Sequence, residues 1–146
     1  MSSLKNSWIM YAHMPFDTNW SLESYKKIYK METAEDVKTL LNEINHNILV
    51  NCMIFMMKEN IDPVWEHPEN KNGGAFSFKV FNTDVPDMFF KLVYNTVNGV
   101  YGDNITGISI SPKRNFCIIK LWLSKKTNIS FDFEQRPIFK VFKPNH

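Results

Sequence analysis

The chain has 146 residues, 44% of them hydrophobic, enough to close the core of one domain and too few to build a second. A net charge of +2 does not mark a nucleic-acid binder, which usually shows a clear basic excess, so any RNA contact must be local. The opening MSSLKNSW lacks the apolar run and cleavage site of a secretory signal, and no stretch reaches the roughly eighteen apolar residues that span a bilayer. A soluble, cytoplasmic, monomeric protein is expected.

In chain order, strands are predicted at 8–13 (WIMYAH), 51–57, 75–81 (AFSFKVF), 105–111 (ITGISIS), 116–123 (FCIIKLWL) and 138–142 (IFKVF). Each is short, β-branched or aromatic, and bounded by turn residues. The segment 22–30 is ambiguous: its polar residues suit a helix, while Tyr25, Ile28 and Tyr29 suit a strand. A helix is predicted to begin at Thr33 with a capping box to Asp36, carrying Val37, Leu40, Leu41, Ile44 and Ile48 along one face. A second runs over 84–98, with Asp84 as N-cap, Pro86 in the first turn, a stripe of Phe89, Val93 and Val97, and Gly99 as its stop. Strands broken by two long helices imply an α+β fold, an antiparallel sheet with helices on one face and a ligand surface on the other. Cys52 and Cys117 lie in apolar runs, where a thiol acts as a small hydrophobe, so no disulfide is expected.

The most informative stretch is 61–74, IDPVWEHPENKNGG, which puts Trp65 and Glu66 in a Pro-, Asn- and Gly-rich loop. Trp20 stands in another polar connection, PFDTNWS. Most tryptophans go to a core, so two in loops beside a carboxylate suggest a stacking site. Such a site fits a cationic purine. Methylation at N7 charges the guanine ring, and two indole faces can hold it by stacking and cation–π attraction, the latter contributing about 0.5–2 kcal/mol. Guanine's N1–H and N2 amine form a paired donor edge that Glu66 can accept bidentately, an edge adenine and the pyrimidines lack. The histidines, His13, His46, His67 and His146, are scattered, and no nucleophile–base arrangement appears. Glu66, His67 and Glu69 are neighbouring loop residues of a kind more often solvated than metal-bound. No catalysis, metal or cofactor is expected.

The motifs SWIMYAH, DTNW, TAEDVKTLLNEI, KENIDPVWEHPENKNGG, IIKLW and the terminal IFKVFKPNH resemble the cap-binding translation initiation factors of the 4E family over nearly the whole chain. The resemblance implies a curved antiparallel sheet with helices on its convex face and the 7-methylguanosine cap of mRNA in its concave mouth. It assigns the segment 22–30 to a strand. It also implies that Trp20 and Trp65 sandwich the base, that Glu66 reads guanine, that Trp122 lies near the N7 methyl, and that Trp8 is a core residue. The composition, rich in Asn, Lys, Ile and Phe, would suit a divergent, compact member from an AT-biased genome such as a parasite's or a large DNA virus's.

The phosphate side departs from that pattern. Family arginines fall on Ala75 and Ser111, and a family lysine on Ile118. Lys113, Arg114 and Lys120 are the candidate substitutes, Lys120 because strand alternation puts it on the face of Trp122. The stretch SKKTNISFDFEQRP is short where the family has a third helix and a long loop. On the helical face, the family's anchor tryptophan for a Tyr-x-x-x-x-Leu-Φ scaffold peptide falls on Lys38, its acidic contact on Lys91, and a His-Pro pair on Ser2 and Ser3, with Phe90 and Tyr94 as a substitute apolar platform. The implied partners are capped mRNA and a non-standard scaffold protein. The competing reading is an interaction module that keeps the fold and has lost cap binding.

Overall fold

The computed structural model describes residues 3–133 and 136–142. Ser2, His146 and the end of the terminal motif lie outside them. The seven strands are β1 (Ser3–His13), β2 (Lys26–Thr33), β3 (Met53–Lys58), β4 (Gly74–Phe81), β5 (Ile105–Pro112), β6 (Phe116–Leu123) and β7 (Ile138–Val141). They form one sheet in the order β2-β1-β3-β5-β6-β4-β7, and every pairing is antiparallel. Helices α1 (Ala34–Glu43), α2 (His46–Asn51) and α3 (Val85–Val97), with single 3-10 turns at Leu22–Ser24 and Asn82–Asp84, complete the regular structure among the described residues.

Alternation along the strands divides the sheet into two faces. Trp8, Met10, Ile54, Met56, Phe78, Ile108, Ile110, Ile119 and Leu121 point toward the helices and form the main core with Val37, Leu40, Leu49, Phe89, Leu92 and Val93. On the opposite, open face, Ile9, Tyr11, Phe55, Met57, Ile61, Ala75 and Trp122 form a smaller cluster. Trp8 is a core residue, as the resemblance implies.

The capping box at Thr33 forms: its hydroxyl accepts from the Asp36 N–H, and the Asp36 carboxylate accepts from the N–H groups of Thr33 and Glu32. The helix it starts ends earlier than its apolar pattern suggests. Ile44 turns extended, Asn45 caps α2 through a bond from the Asn47 N–H, and the change of axis buries Leu49 while leaving Ile48 exposed. Residues 22–30 also divide, into a single 3-10 turn at Leu22–Ser24 and then β2. Asp84 occupies the N-cap of α3 without a side-chain bond, and Gly99 ends that helix region at φ +75°. Cys52 caps the end of α2 instead of lying in a strand, Cys117 is buried in β6, and both thiols are free.

Between β6 and β7 the described residues 124–133 carry no helix or strand, and their aromatic side chains pack on the helix-side core. Phe131 meets Phe76 and Phe78 edge-on at 5.2 and 5.1 Å, and Phe133 meets Phe78 at 5.8 Å. Gly73 and Gly74 allow a close approach of backbones at the start of β4. A Cβ on Gly73 would collide with the Leu123 carbonyl oxygen, and one on Gly74 with that of Lys140.

Candidate ligand site on the open face

Two loops supply the exposed groups. The β1–β2 loop follows His13 and carries Trp20, while the β3–β4 loop follows Lys58 and carries Trp65 and Glu66. Because His13 pairs with Met53 and Trp8 with Lys58, the loops leave opposite ends of the sheet. The second folds back across the open face: Ile61 joins the cluster there, the charges of Asp62 and Glu59 reach Tyr11, and that of Glu66 reaches Tyr25.

Local hydrogen bonds shape the Trp20 loop. The Asp17 carboxylate accepts from the Asn19 N–H, the Asn19 side-chain carbonyl accepts from the Ser21 N–H, and the Ser24 N–H and hydroxyl both donate to the Ser21 carbonyl. Trp20 is 51% exposed and stacks on His13 with ring centroids 3.7 Å apart and planes 1° from parallel. Tyr25 meets Trp20 edge-on at 6.2 Å and Phe55 at 5.2 Å; Phe55 in turn meets Trp122 at 6.2 Å. An aromatic row thus crosses the open face. The Tyr25 phenol titrates above its ordinary value of 10.0, first through burial and second through the negative charge of Glu66.

The Trp65 loop is organised by Asn70, a fully buried side chain. Its amide donates to the carbonyls of Val64 (3.0 Å) and Asp62 (3.5 Å), while the His67 N–H also reaches Val64 O. Trp65 and Glu66 therefore sit between two pinned residues. Trp65 is half-buried, and among the described residues no other aromatic ring packs on it. Glu66 is exposed and, among the described residues, forms no ion pair.

Trp122 is only 6% exposed, and its Nε1–H donates to Ser109 Oγ at 2.9 Å. It is a floor for the open face, with its polar edge already committed. Lys120 stands one pleat away on the same face, flanked across the strands by Ser109 and Ser77. Its ammonium titrates below 10.5, chiefly through burial and then through repulsion from Lys113 and Lys140. Lys140, on β7, pairs with Ala75, where the resemblance leads one to expect an arginine. Lys113 and Arg114 are exposed in the β5–β6 turn, and among the described residues none of these four cations enters an ion pair.

His13, Tyr25, Asn70 and Lys140 were not singled out as site residues from the sequence. Only Lys140 had a readable signal, since alternation along IFKVF sets it on one face with Ile138. On the helical side, Lys38 and Tyr94 line a groove of about 380 Å³ with Leu4, Ala34, Val37 and Leu41. Phe90, one turn before Tyr94 on α3, packs partly buried against the core. The Lys91 ammonium lies 5.6 Å over the Phe133 ring.

The model of the family "Eukaryotic initiation factor 4E" matches residues 3–141. The chain is 27% identical to eukaryotic translation initiation factor 4E allele A of Solanum tuberosum, over 86% of this chain and 57% of that protein. It is 29% identical to factor 4E-2 of Solanum lycopersicum, over 86% and 60% respectively, so it spans under two thirds of these relatives' length. Among solved structures it superposes on C. elegans eIF4E-3 in complex with the 4E-binding protein Mextli (TM-score 0.76, 21% identity, 85% of this chain and 76% of that one). It also superposes on Ascaris suum eIF4E-3 with m7G cap (0.75, 19%, 85% and 74%) and on a schistosome eIF4E with m7GpppG and 4E-BP (0.75, 23%, 85% and 72%). With its antiparallel sheet, its helices on one face and a sequence match along nearly its full length, the chain belongs to the eukaryotic initiation factor 4E family, whose members are translation factors and not enzymes.

Proposed function

We propose that this chain binds the 7-methylguanosine cap of messenger RNA on its open face, the base stacked between Trp20 and Trp65. The observation that carries this reading is the convergence of two loops from opposite ends of the sheet, which brings an exposed indole and an unpaired carboxylate to the same tyrosine, Tyr25. Glu66 accepts the N1–H and N2 amine of guanine, and Trp122 floors the slot. Lys120, Lys113 and Lys140 hold the triphosphate, with Arg114 at the rim; Lys140 offsets the charge that Ala75 does not carry. Cap occupancy in the cytoplasm serves translation initiation or sequesters capped RNA.

Retention on immobilised 7-methyl-GTP, with elution by the free cap analogue and not by GTP, tests the reading. Trp20→Ala and Trp65→Ala should each abolish retention, and Glu66→Ala should lower both affinity and the preference for guanine. Unchanged retention of either tryptophan variant overturns the sandwich. A protein that elutes in the wash, yet is folded, supports instead an interaction module without cap binding, a reading favoured by Ala75, Ser111 and Ile118 at positions where charge is expected.

The helical face is the second proposed contact. A partner helix would lie along the groove beside Lys38 and Tyr94, as 4E-binding proteins accompany the relatives whose structures are solved with them. A lysine at the anchor position selects for acidic groups in that partner and against an aromatic-reading scaffold peptide.

A further inference from the structure

We propose that His13 is the positioning residue for the stacking indole of Trp20, and that its neutral imidazole makes ligand affinity fall as the solution is acidified; this rests on the cap-binding reading. His13 is fully buried at the end of β1. Its ring lies parallel to Trp20 at 3.7 Å, while its Nε2 lies 2.8 Å from the Asn19 carbonyl oxygen, on the residue just before that tryptophan. One side chain thus holds both the loop backbone and one face of the indole, leaving about half of Trp20 exposed for a ligand.

The hydrogen bond also fixes the chemistry of the ring. A carbonyl oxygen can only accept, so Nε2 carries the proton. Nδ1 is buried and, among the described residues, has no partner, which suits a lone pair and not a second N–H. Protonation would create an unsatisfied buried donor. It would also set a cation against one face of an indole whose other face is to receive a cationic base, and the two would compete for the same π density. Around the ring, the titratable groups are Tyr25 edge-on at 5.2 Å, Asp17 in the loop, Glu66 through Tyr25, and from β2 Lys27, whose pairing with Tyr11 sets it on the same face, while Lys26, paired with Ala12, lies on the opposite one. From β3, His13 is paired with Met53, which carries no charge.

The test compares 7-methyl-GTP affinity of the intact chain and two variants at pH 7.5 and 5.8, by tryptophan fluorescence. His13→Phe keeps a flat ring behind Trp20 without a titrating nitrogen but loses the donor to the Asn19 carbonyl, so it should bind more weakly than the parent at pH 7.5 and more tightly than His13→Ala, and its response to acid is read against its own value at pH 7.5. On acidification the parent should lose more of its affinity than His13→Phe does, a ratio that cancels the ligand's own titration and that of the surrounding groups. His13→Ala should bind about tenfold more weakly at pH 7.5, since it leaves the indole unsupported. In the free protein, nitrogen chemical shifts of the His13 ring should report the Nε2–H tautomer at neutral pH. A parent and His13→Phe that respond identically to acid overturn the inference while leaving cap binding intact. A folded parent that binds 7-methyl-GTP at neither pH overturns the cap reading and this inference together.

Discussion

Replacing Asn70 by Ala removes the amide that donates to the carbonyls of Val64 and Asp62, so the loop carrying Trp65 and Glu66 loses its internal anchor. The expected cost is about 1–3 kcal/mol of stability by urea unfolding, because buried acceptors are left with fewer donors. Fluorescence titration should show weaker 7-methyl-GTP binding although Asn70 is buried beneath the loop; an unchanged affinity would separate this residue from the slot. Trp122→Phe should cost a similar amount, since Ser109 Oγ then loses its donor in a buried setting. Trp20, Trp65 and Glu66 could be singled out from the sequence because tryptophans are unusual in polar loops and a carboxylate beside one is more so. Asn70 could not, because an asparagine near Pro68 and Gly73 looks like ordinary turn chemistry. His13 sits within an apolar strand, and its role depends on where the next loop returns, which no local pattern encodes.

At the level of elements, Thr33→Ala should destabilise the protein by about 1 kcal/mol through loss of the α1 cap, again by urea unfolding. The Asp36 carboxyl is held below its ordinary 3.8, first by the Glu32 backbone N–H, with Thr33 adding to it. Its depressed value in the folded protein means that this stabilisation is present in full above the ordinary value and is lost as pH falls through the folded one. The stability difference between the parent and Asp36→Asn should therefore shrink below about pH 4 in acid unfolding. The six readable strands and α3 followed from periodicity because each is a face of a buried sheet or helix. The break between α1 and α2 was hidden because Ile44 and Ile48 continue the helical spacing, while the event that ends the helix, Asn45 acting as a cap, was one polar residue among several. Similarly, residues 22–30 mix a turn with a strand, and only pairing of β2 with β1 fixes where one becomes the other. For the helical groove, calorimetry with a Tyr-x-x-x-x-Leu-Φ peptide should show binding at least about tenfold weaker than that of a relative with tryptophan at the position of Lys38. Lys38→Trp should recover part of it.

Over the whole molecule, charge is placed instead of accumulated. A net +2 conceals a group of lysines on one face, Lys113, Lys120 and Lys140, close enough for the first and last to disfavour the proton on the second. Changing all three to Ala should weaken 7-methyl-GTP binding about tenfold or more, leave the 7-methylguanosine nucleoside nearly unaffected, and flatten the dependence on salt. Equal losses for nucleotide and nucleoside would show that these residues act through the fold.

The loops carrying Trp20 and Trp65 spring from opposite ends of the sheet, so among the described residues it is packing across the open face that keeps one near the other. If the proposed cap binding holds, a base wedged between them acts as a clasp across segments far apart in sequence. In the free protein each loop should exchange its amide protons through its own local opening, at different rates and well before the strands. With 7-methyl-GTP at about a hundred times its dissociation constant, the added stability of about 2.7 kcal/mol falls on both at once. Amides near Trp20 and near Trp65 should then slow by similar factors and open together, as a single cooperative unit that the free chain does not possess.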